Sequence, residues 1–389
     1  MGSNDHVIDI PKAAYIHIPF CVSKCWYCDF NSYSGMDSFF DSYACALMSE
    51  IRQVRKNDQS SLQTVYFGGG TPTVLPAEKL EAILGELRCS IGIDEDAEVT
   101  LEANPGTIDA NGASRLRHAG FNRISLGVQS FDDAYLRTMG RIHSRDQAAA
   151  AYNTVREEGF CNVGVDLIFA LPGQGLGHWS DTLDAALQLK PPPEHLSLYE
   201  LSIEEGTRFA ELLAAGRLEP VDEDLRLRMY ELTISKLSEA GYEHYEVSNF
   251  ARPGFRSCHN MVYWMNGPYY GFGAGATSYI NGKRSRRVSD PRKYINAINT
   301  GCEAIEFSES LDCRERLGET IIQGLRMLEG VDLARTQRRL GLDPMAEFAA
   351  EIESLQRRGL VELANSRLRV THSGLLLLND VSQEFVTCA

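Results

Sequence analysis

Ala13-Ala-Tyr-Ile-His-Ile18 runs through Pro19 and Phe20 into Cys21-Val-Ser-Lys-Cys25-Trp-Tyr-Cys28. The first part reads as a β-strand, and the cysteines follow directly beyond its end at C-x-x-x-C-x-x-C spacing. Thiolates at this spacing can hold three irons of a cubane iron–sulfur cluster, which takes four when fully ligated. The remaining iron is then open to a small molecule. Two other readings stay open for these residues alone. One is half of a zinc site, although no second C-x-x-C pair occurs anywhere in the chain. The other is chance proximity.

Outward from this stretch, short β-rich runs alternate with helical patterns. Strands are expected at Ala13–Ile18, 64–67, 98–102, 123–128, 163–168 and 195–198. Amphipathic stretches lie between them at 39–55, 77–87, 110–118, 145–158 and 179–189. The alternation predicts an α/β fold built as a partial, open (β/α)6 barrel, with active residues at the carboxyl ends of the strands. A closed eight-unit barrel would need two more strong units, which the pattern lacks. A long helix is expected at 224–240, then a Gly- and Tyr-rich segment at 242–279 and a short helix at 290–299. A boundary near 300–310 divides a core, 1–300, from a tail, 311–389. The tail shows helical patterns at 314–327, Leu333–Leu340 and 345–358. Two short strands at 360–362 and 368–370 flank Ala364-Asn365-Ser366, and a last helix starts after Thr371. Helices followed by a small hairpin suggest a winged-helix-like domain. Its mixed charges point to a lid or partner-docking role rather than to DNA.

The chain has 389 residues, 43% of them hydrophobic and 23% charged, ordinary for a globular protein, and a net charge of −15. No basic block or arginine stripe appears, which counts against nucleic acid as a partner. Cys45, Cys89, Cys161, Cys258, Cys302, Cys313 and Cys388 are scattered and read as small apolar residues, Cys258 excepted. A secreted disulfide framework does not suit this length and spacing. Residues 1–11 carry no apolar signal core, and no apolar run approaches the roughly 18 residues of a membrane span. A reducing, cytoplasmic location is expected. Peripheral membrane contact, directly or through partners, and oligomeric state stay open.

Gly68-Gly-Gly-Thr-Pro72 closes the second expected strand. Glycines there let backbone approach a ligand, though a tight turn or a phosphate cradle would use them too; the Lys-Ser/Thr of a P-loop is absent. With Tyr27 before the last cysteine, the cysteine run and this motif together resemble the radical S-adenosylmethionine (SAM) superfamily. The string from Tyr15-Ile-His-Ile-Pro-Phe-Cys21 to Cys28-Asp-Phe-Asn31 resembles its coproporphyrinogen oxidase branch, and within that branch the HemW-type haem chaperones. The resemblance implies a 4Fe–4S cluster on Cys21, Cys25 and Cys28. It also implies SAM held by Tyr15, Gly69, Gly70, Thr71, Glu102, Gln129, Arg141 and Asp166. Glu102 and Arg141 would serve the methionine end, Gln129 and Asp166 the ribose. Singly, each of these could be a solvated turn residue or a cap. By the same resemblance a reduced cluster passes one electron into the sulfonium, leaving methionine and a 5′-deoxyadenosyl radical. Whether SAM is turned over stays open, and no catalytic residue is assigned.

Cys258-His-Asn-Met-Val-Tyr-Trp264 is similar to the H-N-x-x-Y-W string of the haem chaperones. His259, and after it Cys258, are the candidates for binding haem as cargo, since histidine and cysteine are common axial ligands. A core histidine within an aromatic cluster would read the same way. The alternative function is an oxygen-independent coproporphyrinogen III oxidase. That enzyme carries a further cysteine two residues after the third cluster cysteine, where this chain has Phe30, and a longer segment before the residue matching Tyr15. The expected partners are haem or another porphyrin and the proteins that accept haem.

Overall fold

The computed structural model describes residues 10–54 and 61–386. Arg55, the end of the first expected helix, and Cys388 lie outside the described residues, as do residues 1–9. Six parallel strands follow the expected order: β1 (Ala13–Ile18), β2 (Leu62–Gly69), β3 (Ile93–Ala103), β4 (Arg123–Gln129), β5 (Asn162–Phe169) and β6 (His195–Glu200). The first helices are α1 (Phe40–Arg52), α2 (Ala77–Ser90), α3 (Ala110–Ala119), α4 (Asp133–Thr138), α5 (Arg145–Glu157) and α6 (Leu176–Leu187). Then come α7 (Arg208–Ala214), α8 (Glu223–Glu239) and α9 (Cys258–Trp264). Their starts are written in the sequence. Asp109 caps α3, and Ser144 with Gln147 forms a capping box on α5.

Three strands beyond the expected six extend the sheet: β7 (Glu243–Glu246), β8 (Asn249–Ala251) and β9 (Tyr270–Phe272). The order is β9-β1-β2-β3-β4-β5-β6-β8-β7. β9 lies parallel to β1, with Tyr15 opposite Gly271, while β8 runs antiparallel to β6 and β7 antiparallel to β8. The Gly- and Tyr-rich segment therefore supplies both edges of the barrel sheet. This corrects the six-strand count and leaves the six expected units in place.

The two faces of the sheet differ in chemistry. Ala14, Ile16, Val65, Phe67, Val99, Leu101, Ile124, Leu126, Val163 and Val165 share one buried cluster with helix residues Leu47, Leu84, Tyr152 and Trp179. Side chains alternate along a strand, so the intervening positions fall on the inner face. There stand Tyr15 and His17, Thr64 and Tyr66, Glu98, Thr100 and Glu102, Arg123 and Ser125, Asp166, His195 and Ser197. The barrel has an apolar outside and a polar interior. Buried polar groups need partners: Tyr66 donates to Glu102 at 2.7 Å, and Ser125 to Asp166 at 3.0 Å.

The tail has its own core, which includes Leu317, Ile321, Phe348, Ile352, Leu368 and Phe385. α10 (Pro291–Asn299) precedes it, and α11 (Cys313–Gly324), α12 (Leu333–Leu340), α13 (Pro344–Glu347) and α14 (Ala349–Arg357) belong to it. The single helix expected at 345–358 is broken at Phe348, whose ring is buried against Phe385 and whose backbone leaves helical geometry. Val361–Ala364 and Arg367–Val370 pair as a hairpin through Asn365 and Ser366, both at positive φ as a two-residue turn of this hand requires. The tail grips the end of α9. The Arg326 guanidinium stacks 4.5 Å from the Trp264 ring, and Arg339 donates to the Met265 carbonyl at 2.9 Å. Among the described residues, no helix is long and apolar enough to cross a membrane.

Candidate functional site

The cysteine loop is strapped to the glycine motif at its start. Gly70 N–H donates to Ile18 O and Thr71 N–H to Phe20 O, each at 2.8 Å. Gly69 has φ +113°, and a Cβ there would stand 2.6 Å from the His17 ring; one on Gly70 would stand 2.6 Å from Phe20 O. Both positions demand glycine. Further along, Trp26 N–H donates to Met139 O at 3.0 Å and Phe209 N–H to Trp26 O at 2.9 Å, so the loop is clamped between α4 and α7. Phe30 projects from the same loop into solvent.

A chain of polar contacts joins two of the thiols. Cys21 Sγ lies 3.7 Å from Thr71 Oγ1, which accepts from Asn104 Nδ2 at 2.7 Å. Asn104 Oδ1 accepts from Arg141 at 2.6 Å, and the same guanidinium reaches Cys25 Sγ at 3.3 Å. Burial pushes the Cys21 and Cys28 thiols up. Burial pulls Arg141 down, but Cys25 and Tyr27 beside it outweigh that and hold it above its ordinary value, a permanent cation. Ligation requires thiolates, and a neighbouring cation favours them. Burial, followed by Arg141, lowers His143 to about 4, so that imidazole is neutral.

The residues fit an iron–sulfur cluster. The donors are soft thiols, and Arg141 Nε is buried without a hydrogen-bond partner beside a narrow cleft lined by Cys25, Thr71, Asn104 and His143. Among the described residues, no three His, Cys, Asp or Glu side chains converge on one metal position. A cluster that spreads its thiolates over three irons requires no such convergence.

Of the other SAM candidates, Glu102 and Gln129 stand at the carboxyl ends of their strands, and Tyr15 and Asp166 lie mid-strand on the inner face. Glu102 accepts from Tyr66 Oη and, at 3.3 Å, from Gly69 N–H. Burial raises its carboxyl to about 7, the Tyr66 bond opposing and Asp166 adding to the shift. Asp166 is likewise raised by burial, opposed by bonds from Ser197 and Ser125. Gln129 closes β4 at φ 67°, a left-handed position beside a break in register with β5. Tyr15 Oη lies 3.0 Å from His17 Nδ1, and its ring stacks on Tyr66.

The two haem candidates are placed differently. His259 is wholly buried, with Nδ1 2.9 Å from Thr64 Oγ1 and Nε2 2.8 Å from Tyr263 Oη. Both ring nitrogens are engaged, and burial, followed by Arg123, lowers its pKa to about 3. Without ligand, His259 is thus a neutral histidine packed in an aromatic cluster, its two nitrogens held by Thr64 and Tyr263. Cys258 is exposed and lines an open cleft of about 1140 Å³ with Lys12, Gln63, Arg256 and Met265. That volume lies just above the usual span of small-molecule and cofactor sites, roughly 300–1,000 Å³. The nine cysteines of the described residues are all free thiols.

Two residues that matter to the geometry escaped the motif reading. Asn104 bridges Thr71 and Arg141; its signal was its place two residues beyond Glu102 in Leu101-Glu-Ala-Asn-Pro105. Tyr66 binds Glu102, but a mid-strand tyrosine reads as core, and no local signal marks it.

A parallel barrel with a three-cysteine loop and a glycine motif at the carboxyl ends of its strands defines a radical SAM protein. The Radical SAM superfamily pattern matches residues 15–186, and the HemN C-terminal domain pattern matches residues 311–377. The haem chaperone HemW of Bacillus subtilis (strain 168) is 38% identical over 377 residues, spanning 96% of this chain and 99% of that protein. HemW of Escherichia coli (strain K12) is 33% identical over 385 residues, spanning 97% and 98%. Among solved structures, the coproporphyrinogen III oxidase HemN of Escherichia coli superposes with a TM-score of 0.83 at 25% identity, covering 98% of this chain and 92% of that one. The chain belongs to the HemW family.

Proposed function

We propose that this chain is a cytoplasmic haem chaperone that binds haem and hands it to haem-dependent proteins. The observation that carries this reading is the end-to-end likeness to proteins named haem chaperones. Phe30, at the position of the oxidase's additional cysteine, supports it. Cys21, Cys25 and Cys28 would hold a 4Fe–4S cluster. SAM would lie against Gly69, Gly70 and Thr71, with Glu102 and Arg141 at its methionine end and Gln129 and Asp166 at its ribose; Tyr15 lines the same interior. When bound, the cluster and SAM supply one-electron chemistry at a sulfonium. The chain's part is to orient the ligand. Arg141 keeps positive charge beside Cys25, Glu102 offers a carboxylate to an ammonium, and the Gly69–Thr71 backbone packs close without side chains in the way. His259, and after it Cys258, which is exposed and lines the large cleft, are the candidates for contact with haem.

The structural likeness to HemN favours one rival, an oxygen-independent coproporphyrinogen III oxidase. An anaerobic assay of reconstituted protein with coproporphyrinogen III and SAM, run beside a haem titration, separates the two. A chaperone binds haem with micromolar affinity, about −8 kcal/mol, and releases no carbon dioxide. Carbon dioxide release without haem binding makes the protein the oxidase.

A further inference from the structure

The polar interior connects the α9 motif to the strand-end carboxylate. Tyr66, in the middle of β2, has its ring stacked with two others: Tyr15, at 6.2 Å between centroids and 26° between planes, and His259, at 5.1 Å and 28°. Its hydroxyl donates to Glu102 Oε1 at 2.7 Å. The other carboxylate oxygen takes the Gly69 N–H. Glu102 is thus held at one end by the glycine motif and at the other by Tyr66. A Cβ on Gly68 would stand 2.9 Å from the Tyr66 ring and 3.0 Å from the Glu102 carboxylate, so the chain leaves space for this pair.

His259 itself has little freedom. Thr64, two residues before Tyr66 on the same face of β2, fixes one ring nitrogen, and Tyr263 fixes the other. The N–H groups of Cys258 and His259 both donate to the Glu98 carboxylate, each at 3.0 Å. The Tyr263 ring meets His259 edge-on at 5.0 Å. A displacement of α9 therefore moves His259 against Tyr66 or breaks these bonds. Since the imidazole is neutral, the link works through packing and hydrogen bonds rather than charge.

We infer that Tyr66 is a positioning residue that couples α9 to the Glu102 carboxylate, so that haem engaging α9 alters the affinity for SAM. The inference rests on reading Glu102 as a SAM contact. Coupling of two binding free energies is reciprocal, so SAM alters the affinity for haem by the same factor.

The test is calorimetric titration of SAM into the reconstituted holoprotein, with and without haem. The set comprises wild type, Glu102→Ala, Tyr66→Phe, His259→Gln and the Tyr66→Phe/His259→Gln double variant. Tyr66→Phe keeps the ring in the stack and removes only the hydroxyl. Iron–sulfur absorbance and circular dichroism identify any variant that fails to fold, and Tyr66→Phe alone then carries the comparison. Glu102→Ala and Tyr66→Phe are each expected to weaken SAM binding by about tenfold or more. His259→Gln is expected to weaken it in the wild-type background and to add nothing on top of Tyr66→Phe. A purely structural role would give additive losses. Haem is expected to shift the SAM affinity of wild type and not of Tyr66→Phe. Full affinity in Tyr66→Phe with impaired Glu102→Ala overturns the inference alone. Full affinity in Glu102→Ala overturns the reading of the site and the inference with it. Additive losses, or a wild-type SAM affinity indifferent to haem, overturn the coupling.

Discussion

Replacing Glu102 with glutamine removes a charge while keeping the side chain's shape. In the folded protein this carboxyl titrates at about 7, against an ordinary value near 4.5. A carboxyl with a raised folded pKa holds its proton in the folded state across the window in which the unfolded chain has lost it. Its contribution therefore falls as pH rises from about 4.5 to 7, by about 3 kcal/mol in all at roughly 1.4 kcal/mol per unit. Without ligand, the wild type should lose stability across that window, and Glu102→Gln should lose less. With SAM the sign reverses. An ammonium group prefers the ionised carboxylate, so wild-type affinity should climb about tenfold per unit as pH rises towards 7 and level off above it. At pH 8 the glutamine variant should bind roughly ten- to a hundredfold more weakly, the loss of a hydrogen bond to a charged group, about 1.5–3 kcal/mol. Its affinity should not follow the wild-type pH curve. Calorimetry across this pH range on the reconstituted protein measures both effects. A glutamine variant that binds SAM as tightly as wild type at pH 8, or that keeps the same pH slope, refutes the role given to Glu102.

Alanine at Cys21, Cys25 or Cys28 should abolish iron–sulfur absorbance after reconstitution, whereas alanine at the exposed Cys45 or Cys161 should leave it intact. Gly69→Ala forces a left-handed backbone and a collision with His17, so it should cost about 1–3 kcal/mol in a denaturant melt and diminish cluster loading. Asp166→Ala should weaken SAM binding while sparing the cluster, as read by the same calorimetry. Cys258→Ser should weaken or shift the haem Soret band with no change in thermal stability. His259→Ala should destabilise the fold by roughly 1–3 kcal/mol by leaving Thr64 and Tyr263 unpaired, and an unchanged melting temperature would argue against its place in the core.

The six parallel strands were legible because each alternates polar and apolar residues over several positions, as in Arg123-Ile-Ser-Leu-Gly-Val128. The Glu243–Glu246, Asn249–Ala251 and Tyr270–Phe272 strands were not. They are three or four residues long, too short for alternation to register, and Tyr270–Phe272 earns its place only by pairing with a strand some 250 positions earlier. The cysteine loop and glycine motif announced themselves by spacing. Asn104 and Tyr66 did not, because their roles arise from neighbours on other strands. His259 is the ambiguous residue. A histidine in an aromatic string looks the same in sequence whether its nitrogens face a ligand or, as here, a threonine and a tyrosine.

The contrast between the two faces of the barrel sets how damage spreads. On the outer face, a lost methyl group leaves a local void, and its neighbours feel only missing contact. On the inner face each group is another's partner: Thr100 accepts from Arg123, Asp166 from Ser125, and Tyr245 shares a hydrogen bond with His195. Removing one member strands the next in surroundings too dry to replace it with water, and an unmet buried group costs about 1–3 kcal/mol. Injury outside stays where it falls, whereas injury inside passes from strand to strand around the barrel.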